Sequence, residues 1–95
     1  MALFIVTCTD KEGTLEQRMA TRPAHLARLE KLNQKGQVIL AGPMPKETGF
    51  FGSTMVLDFE TQEALEEWLA DEPYLTAGVF SHVDIKPFIQ VFPKG

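Results

Sequence analysis

One stretch of this 95-residue chain holds three side chains able to grip an anion or move a proton: Arg18, Arg22 and His25. Placed at steps of about 100° per residue, they fall at the edge of an apolar stripe formed by Leu15, Met19, Leu26 and Leu29. Glu16, Gln17, Glu30, Lys31 and Gln34 take the far, solvated face. Cationic or titratable groups beside a core-facing stripe are costly unless each has a partner or opens onto a pocket. The plainer reading is a cationic stem lying along apolar surface with its head in water, and a His that is merely hydrogen-bonded. A carboxylate would change the balance. By accepting from one imidazole nitrogen it fixes the tautomer and makes the other nitrogen a better base.

Two adjacent carboxylates, Asp71 and Glu72, stand where a second helical pattern breaks at Pro73. Negative charge there opposes the helix dipole, which suggests either a task or an exposed loop. Ser53 lies on the apolar phase of a strand, just after Gly52. A bulge or a backbone-bonded hydroxyl explains it, and a ligand-facing hydroxyl is the sharper alternative. His82 alternates in phase with Asp84 and Lys86 and reads as surface. Cys8 sits in an apolar strand and reads as a small buried hydrophobe. A lone cysteine makes no internal disulfide, and no CxxC or His/Cys cluster with zinc spacing occurs, so no metal is expected.

Composition narrows the partners. The chain is 44% hydrophobic and 23% charged with a net charge of −4, as in an ordinary soluble globular protein. An acidic balance without a Lys/Arg run argues against nucleic acid or an anionic membrane surface. No apolar run approaches spanning length, and the N-terminus lacks the pattern of a secretory signal. A cytoplasmic location is expected. Residues 1–95 make one domain, thin enough that burial against a second copy is expected.

The elements that must position these groups follow in order. Leu3 to Thr9 is β-rich, and Asp10 to Gly13 is a turn. Thr14 is placed to cap a helix running to about Lys35 and closed by Gly36. Pro23 predicts either a kink or a second helix starting there; in the latter case His25 lies in a first turn, where the dipole lowers its pKa. Val38 to Ala41 predicts a short, buried central strand ended by Gly42-Pro43-Met44-Pro45. Phe50 to Glu60 alternates as a strand, with Phe51, Ser53, Met55, Leu57 and Phe59 in one phase. Thr61 caps a second helix with Ala64, Leu65, Trp68 and Leu69 as its stripe. A turn over Tyr74 to Ala77 precedes a last strand from Val79, followed by an apolar tail through Phe92. The order β-α-β-β-α-β predicts an α+β, ferredoxin-like fold whose uncovered sheet face pairs with a second copy in a dimeric α+β barrel.

Several segments together resemble one family. They are Leu-Glu-Gln-Arg-Met through Thr-Arg-Pro-Ala-His-Leu-Ala-Arg-Leu (15–29), Ala-Gly-Pro-Met-Pro (41–45), Gly-Phe-Phe-Gly-Ser-Thr (49–54), Glu-Pro-Tyr-Leu-Thr-Ala-Gly-Val-Phe (72–80) and His-Val-Asp-Ile-Lys-Pro-Phe (82–88). This pattern resembles the YciI-like, or YCII-related, proteins over nearly the whole chain. The resemblance implies a dimeric α+β barrel and a pocket with a His-carboxylate dyad. The His carries over to His25. Many members have Asp directly before the Pro-Tyr or Pro-Phe pair, where this chain has Glu72, preceded by Asp71. Either side chain is a partner for His25; Asp71 is favoured because a shorter side chain orients an imidazole more tightly. Arg18, Arg22, Gly42, Pro43, Ser53 and Tyr74 are the expected pocket lining.

The chemistry expected of these groups is proton abstraction and return on a small phenolic or anionic ring compound, with no cofactor. No nucleophile elbow accompanies the dyad, so acyl transfer is not expected. Arg18 or Arg22 would hold a carboxylate or phenolate oxygen. The resemblance implies dehydrochlorination of a chlorinated hydroxyhydroquinone in aromatic catabolism. A non-catalytic ligand-binding or regulatory module and a cofactor-free monooxygenase are the alternatives.

Overall fold

The structure, a computed structural model, describes residues 2–94. Its elements are β1 (Ala2–Asp10), α1 (Leu15–Gln34), β2 (Val38–Lys46), β3 (Gly49–Phe59), α2 (Gln62–Ala70), α3 (Pro73–Thr76) and β4 (Phe80–Phe88). The strands form one antiparallel sheet in the order β2-β3-β1-β4. This is the ferredoxin-like α+β arrangement expected, with the short α3 added.

Alternation along the central strands decides what faces the helices. Phe4, Val6 and Cys8 of β1 and Met55, Leu57 and Phe59 of β3 share one phase and are buried. Leu32 of α1, Leu65 and Leu69 of α2, Tyr74 of α3, and Val79 with Phe80 complete that core. The opposite phase brings Ile5, Val56 and Leu40 into one cross-strand row on the face away from this core. Thr61 caps α2 through its side chain, which accepts from the Ala64 amide.

Four local expectations need correction. β2 is a nine-residue edge strand rather than a short buried one, and Leu40 is 53% exposed. It continues through Pro43 and Pro45 because an edge position tolerates lost donors. α1 is one helix through Pro23 rather than two, at the cost of one backbone bond. His25 consequently lies mid-helix, where the dipole of the first turn no longer reaches it. Thr14 occupies the N-cap position, yet its hydroxyl donates to the Lys11 carbonyl and caps nothing.

Candidate active site

The buried face of α1 is the polar one. Arg18, His25 and Leu32, spaced seven apart, are buried, while Leu15, Met19 and Leu26 are all more than 40% exposed. The centre of burial is thus shifted from the apolar stripe to its polar edge: Leu29 stays half-buried against the core, and the face of Glu16, Gln17, Glu30, Lys31 and Gln34 is solvated as expected. Burial of a guanidinium and an imidazole is tolerable only with full pairing, and both are paired.

Arg18 is held at three points. Its Nε donates to Asp10 Oδ2 at 2.7 Å and its Nη2 to Asp10 Oδ1 at 3.0 Å, a bidentate pair. Nη2 also donates to the Ser53 hydroxyl at 2.8 Å. The guanidinium lies over the rings of Phe50 and Tyr74, 4.8 and 4.6 Å from their centroids. Neither Asp10, expected in a turn but found at the end of β1, nor Phe50 was among the expected site residues. A signal for Asp10 existed, because it continues the inward phase of Phe4, Val6 and Cys8, where a carboxylate needs a partner.

His25 meets Glu72. Nδ1 contacts Glu72 Oε1, and Glu72 Oε2 accepts from the Tyr74 amide at 2.5 Å. An ionised carboxylate only accepts, so a charged Glu72 requires the tautomer that carries the proton on Nδ1 and leaves Nε2 as the basic nitrogen. Tyr74 stacks on the imidazole with ring centroids 4.2 Å apart, and Phe80 meets Tyr74 edge-on. Asp71, favoured from sequence as the dyad partner, is exposed at the C-cap of α2. The chain turns between the two: Glu72 takes extended geometry as the N-cap of α3 and is 1% exposed. Its longer side chain reaches His25 with one oxygen while the other folds back onto α3.

A cavity of about 210 Å³ opens beside His25 and is lined by Arg18, Arg22, Gly42, Pro43, Ser53 and Tyr74. All six pocket-lining residues expected from sequence therefore stand together. Arg22 is exposed and forms no ion pair among the described residues. Gly42 and Pro43 enter from β2, and Pro43 pairs in register with Ser53 of β3. Burial raises the Tyr74 hydroxyl above its usual range despite the nearby Arg18 charge, so it remains a neutral donor near pH 7. Cys8 is pushed up to about 12, chiefly by burial and then by the Glu72 charge, so it is no nucleophile. Among the described residues, no three His, Cys, Asp or Glu side chains are grouped to hold a metal ion. His82 is exposed on β4, outside this site.

Such an arrangement can accept a proton at Nε2, stabilise the resulting imidazolium through Glu72, and offer cationic and hydroxyl donors to oxygens on a ligand. Comparison with known proteins gives the family and the fold. The YCII-related domain matches residues 2–89. The protein YciI of Escherichia coli O6:H1 is 44% identical over 97 aligned residues, covering 95% of this chain and 99% of that one. The 5-chloro-2-hydroxyhydroquinone dehydrochlorinase of Burkholderia phenoliruptrix AC1100, solved with 2,5-dihydroxybenzoquinone, superposes with a TM-score of 0.83 at 26% identity, covering 93% of this chain and 94% of that one. An antibiotic biosynthesis monooxygenase, with a TM-score of 0.56 and 12% identity over 96% of this chain and 99% of its own, shares the fold.

Proposed function

The chain belongs to the YCII-related family, and from that premise we propose that it is a small lyase acting on a polyhydroxylated aromatic ring, by elimination such as dehydrochlorination of a chlorinated hydroxyhydroquinone. The observation that carries this reading is the buried His25–Glu72 pair at the wall of a cavity otherwise supplied with Arg18, Ser53 and Tyr74. Likeness to a dehydrochlorinase at 26% identity supports the substrate class.

In this mechanism His25 Nε2 removes a proton from a ring hydroxyl. The ring ketonises as the chlorine-bearing carbon takes up a proton. Chloride then leaves with the C–Cl electron pair while a second hydroxyl proton departs, giving a hydroxyquinone. The sum is loss of one proton and one chloride, so electrons balance within the substrate and no cofactor is required. Arg18 and Arg22 hold phenolate oxygens, and Asp10 keeps the Arg18 guanidinium oriented. Tyr74 and Ser53 contribute neutral donors. The working unit is a homodimer joined through the sheet face that bears Ile5, Val56 and Leu40, closing an α+β barrel. Its one thiol suits the reducing cytoplasm.

The test is an anaerobic spectrophotometric screen of chlorinated hydroxyquinols and hydroquinones, with chloride release recorded, for wild type and His25→Ala. Oxygen-independent turnover that falls about 10²–10⁴-fold in the variant is expected of a lost general base. Turnover only with oxygen uptake identifies a monooxygenase instead. Binding without turnover by folded wild type identifies a ligand-binding module.

A further inference from the structure

Arg28 lies three residues beyond His25 on α1, hence on nearly the same side of the helix. Its Nη2 donates to the Trp68 carbonyl at 2.8 Å, and its guanidinium sits 4.5 Å from the centroid of the Trp68 indole. Trp68 belongs to the last turn of α2, which carries no basic residue of its own. Terminal carbonyls of a helix carry partial negative charge and need donors. Arg28 supplies that charge and that donor from another helix. Its Nη1 is buried without a partner among the described residues, a cost that an exposed surface arginine would not bear.

The segment held in this way is the one that delivers the dyad carboxylate. The Trp68 carbonyl also accepts from the Asp71 amide at 3.4 Å, and the Glu72 amide donates to the Leu69 carbonyl at 3.0 Å. Glu72 begins there. α1 and α2 share the apolar core through Leu32, Leu65 and Leu69, and among the described residues Arg28 makes the one side-chain hydrogen bond between the two helices, at the end of α2. We propose that Arg28 is a positioning residue: it clamps the C-terminal turn of α2 onto α1 and thereby sets where the Glu72 carboxylate meets the His25 imidazole. The kinetic part of this inference rests on the elimination reading above. The geometric part does not.

The experiment compares wild type, Arg28→Met and Arg28→Lys by proton NMR of the His25 Nδ1–H and by turnover. Methionine keeps an apolar stem and removes both charge and donor; lysine restores the charge and one donor without the planar stack on Trp68. In Arg28→Met, Nδ1–H exchange with solvent should quicken about tenfold, and kcat should fall about tenfold to a hundredfold with KM held within about twofold. Arg28→Lys should lie between. A folded Arg28→Met with wild-type Nδ1–H exchange and kcat would overturn the proposal. Should Arg28→Met not fold, wild-type values of both readouts in Arg28→Lys overturn it equally. If no compound is turned over, the NMR comparison alone decides the clamp, so its failure is distinct from failure of the elimination reading.

Discussion

Glu72 accepts from two donors at once, the Nδ1–H of His25 and the amide of Tyr74. Removing the charge while keeping the shape should therefore be costly for function: Glu72→Gln has one acceptor for two donors, so its NH2 opposes either His25 Nδ1–H or the Tyr74 amide, and the imidazolium loses its counter-charge. We expect Glu72→Gln to lose at least about a hundredfold in kcat, whereas Asp71→Asn, exposed at the end of α2, retains it. Steady-state rates for both variants check this. Equal losses would place the dyad elsewhere. Cys8 offers an independent measurement. With its pKa raised from 9.0 to about 12, the thiol stays protonated at pH 8 and resists iodoacetamide until the protein unfolds. The sign of its linkage follows. Above pH 9 the unfolded thiol ionises while the folded one holds its proton, so stability falls as pH rises from 9 toward 12. Denaturant melts of Cys8→Ala across that window should show a shallower decline.

The elements owe their placement to a few close approaches. Gly52 of β3 lies so near β1 that a β-carbon built on it falls 1.7 Å from the Cys8 carbonyl oxygen. The neighbour is backbone within a central ladder and has nowhere to move. Gly52→Ala should accordingly destabilise by more than about 2 kcal/mol, and should weaken the adjacent Ser53–Arg18 contact. Urea melts measure the first effect and ligand affinity the second. A change below about 0.5 kcal/mol is the size of a neutral surface substitution and would contradict it. Periodicity located β1, β3 and α2 well, since each has one buried phase and clear punctuation. It misjudged β2 because four consecutive apolar residues look alike in a central strand and in an edge strand. It also misplaced the centre of the buried side of α1, which lies at the polar edge of the stripe. An apolar stripe announces burial only where something apolar faces it, and here the inward neighbours are Asp10, Ser53, Tyr74 and Glu72.

At the scale of the molecule, the helices cover one face of a four-stranded sheet, and on the other Leu40 is 53% exposed beside a half-buried Ile5 and a buried Val56. The apolar tail adds Ile89 and Phe92, 84% and 85% exposed. So much uncovered apolar surface on a thin chain is the reason for proposing a homodimer. Light scattering should return twice the 10.6 kDa chain mass, and Leu40→Glu should shift it toward one. Charge buried in a face-to-face sheet interface lacks a partner and disfavours association. A wild-type mass of 10.6 kDa at micromolar concentration would refute the dimer.

Local order was legible from the chain alone: the β-α-β-β-α-β succession, the Thr61 cap, the inward phase of β3, the burial of Cys8 in β1, and the family that residues 15–29 and 72–80 resemble. These depend on spacing within one element, which side-chain periodicity records directly. Only the tertiary structure brought Glu72 rather than Asp71 to His25, brought Asp10 to Arg18, turned the Arg18–His25 edge of α1 inward and put β2 at the sheet edge. Those outcomes depend on what faces each element across the fold. His25 and Glu72 are 47 residues apart, and Arg18 and Ser53 are 35 apart. No periodicity carries information over such distances; packing does.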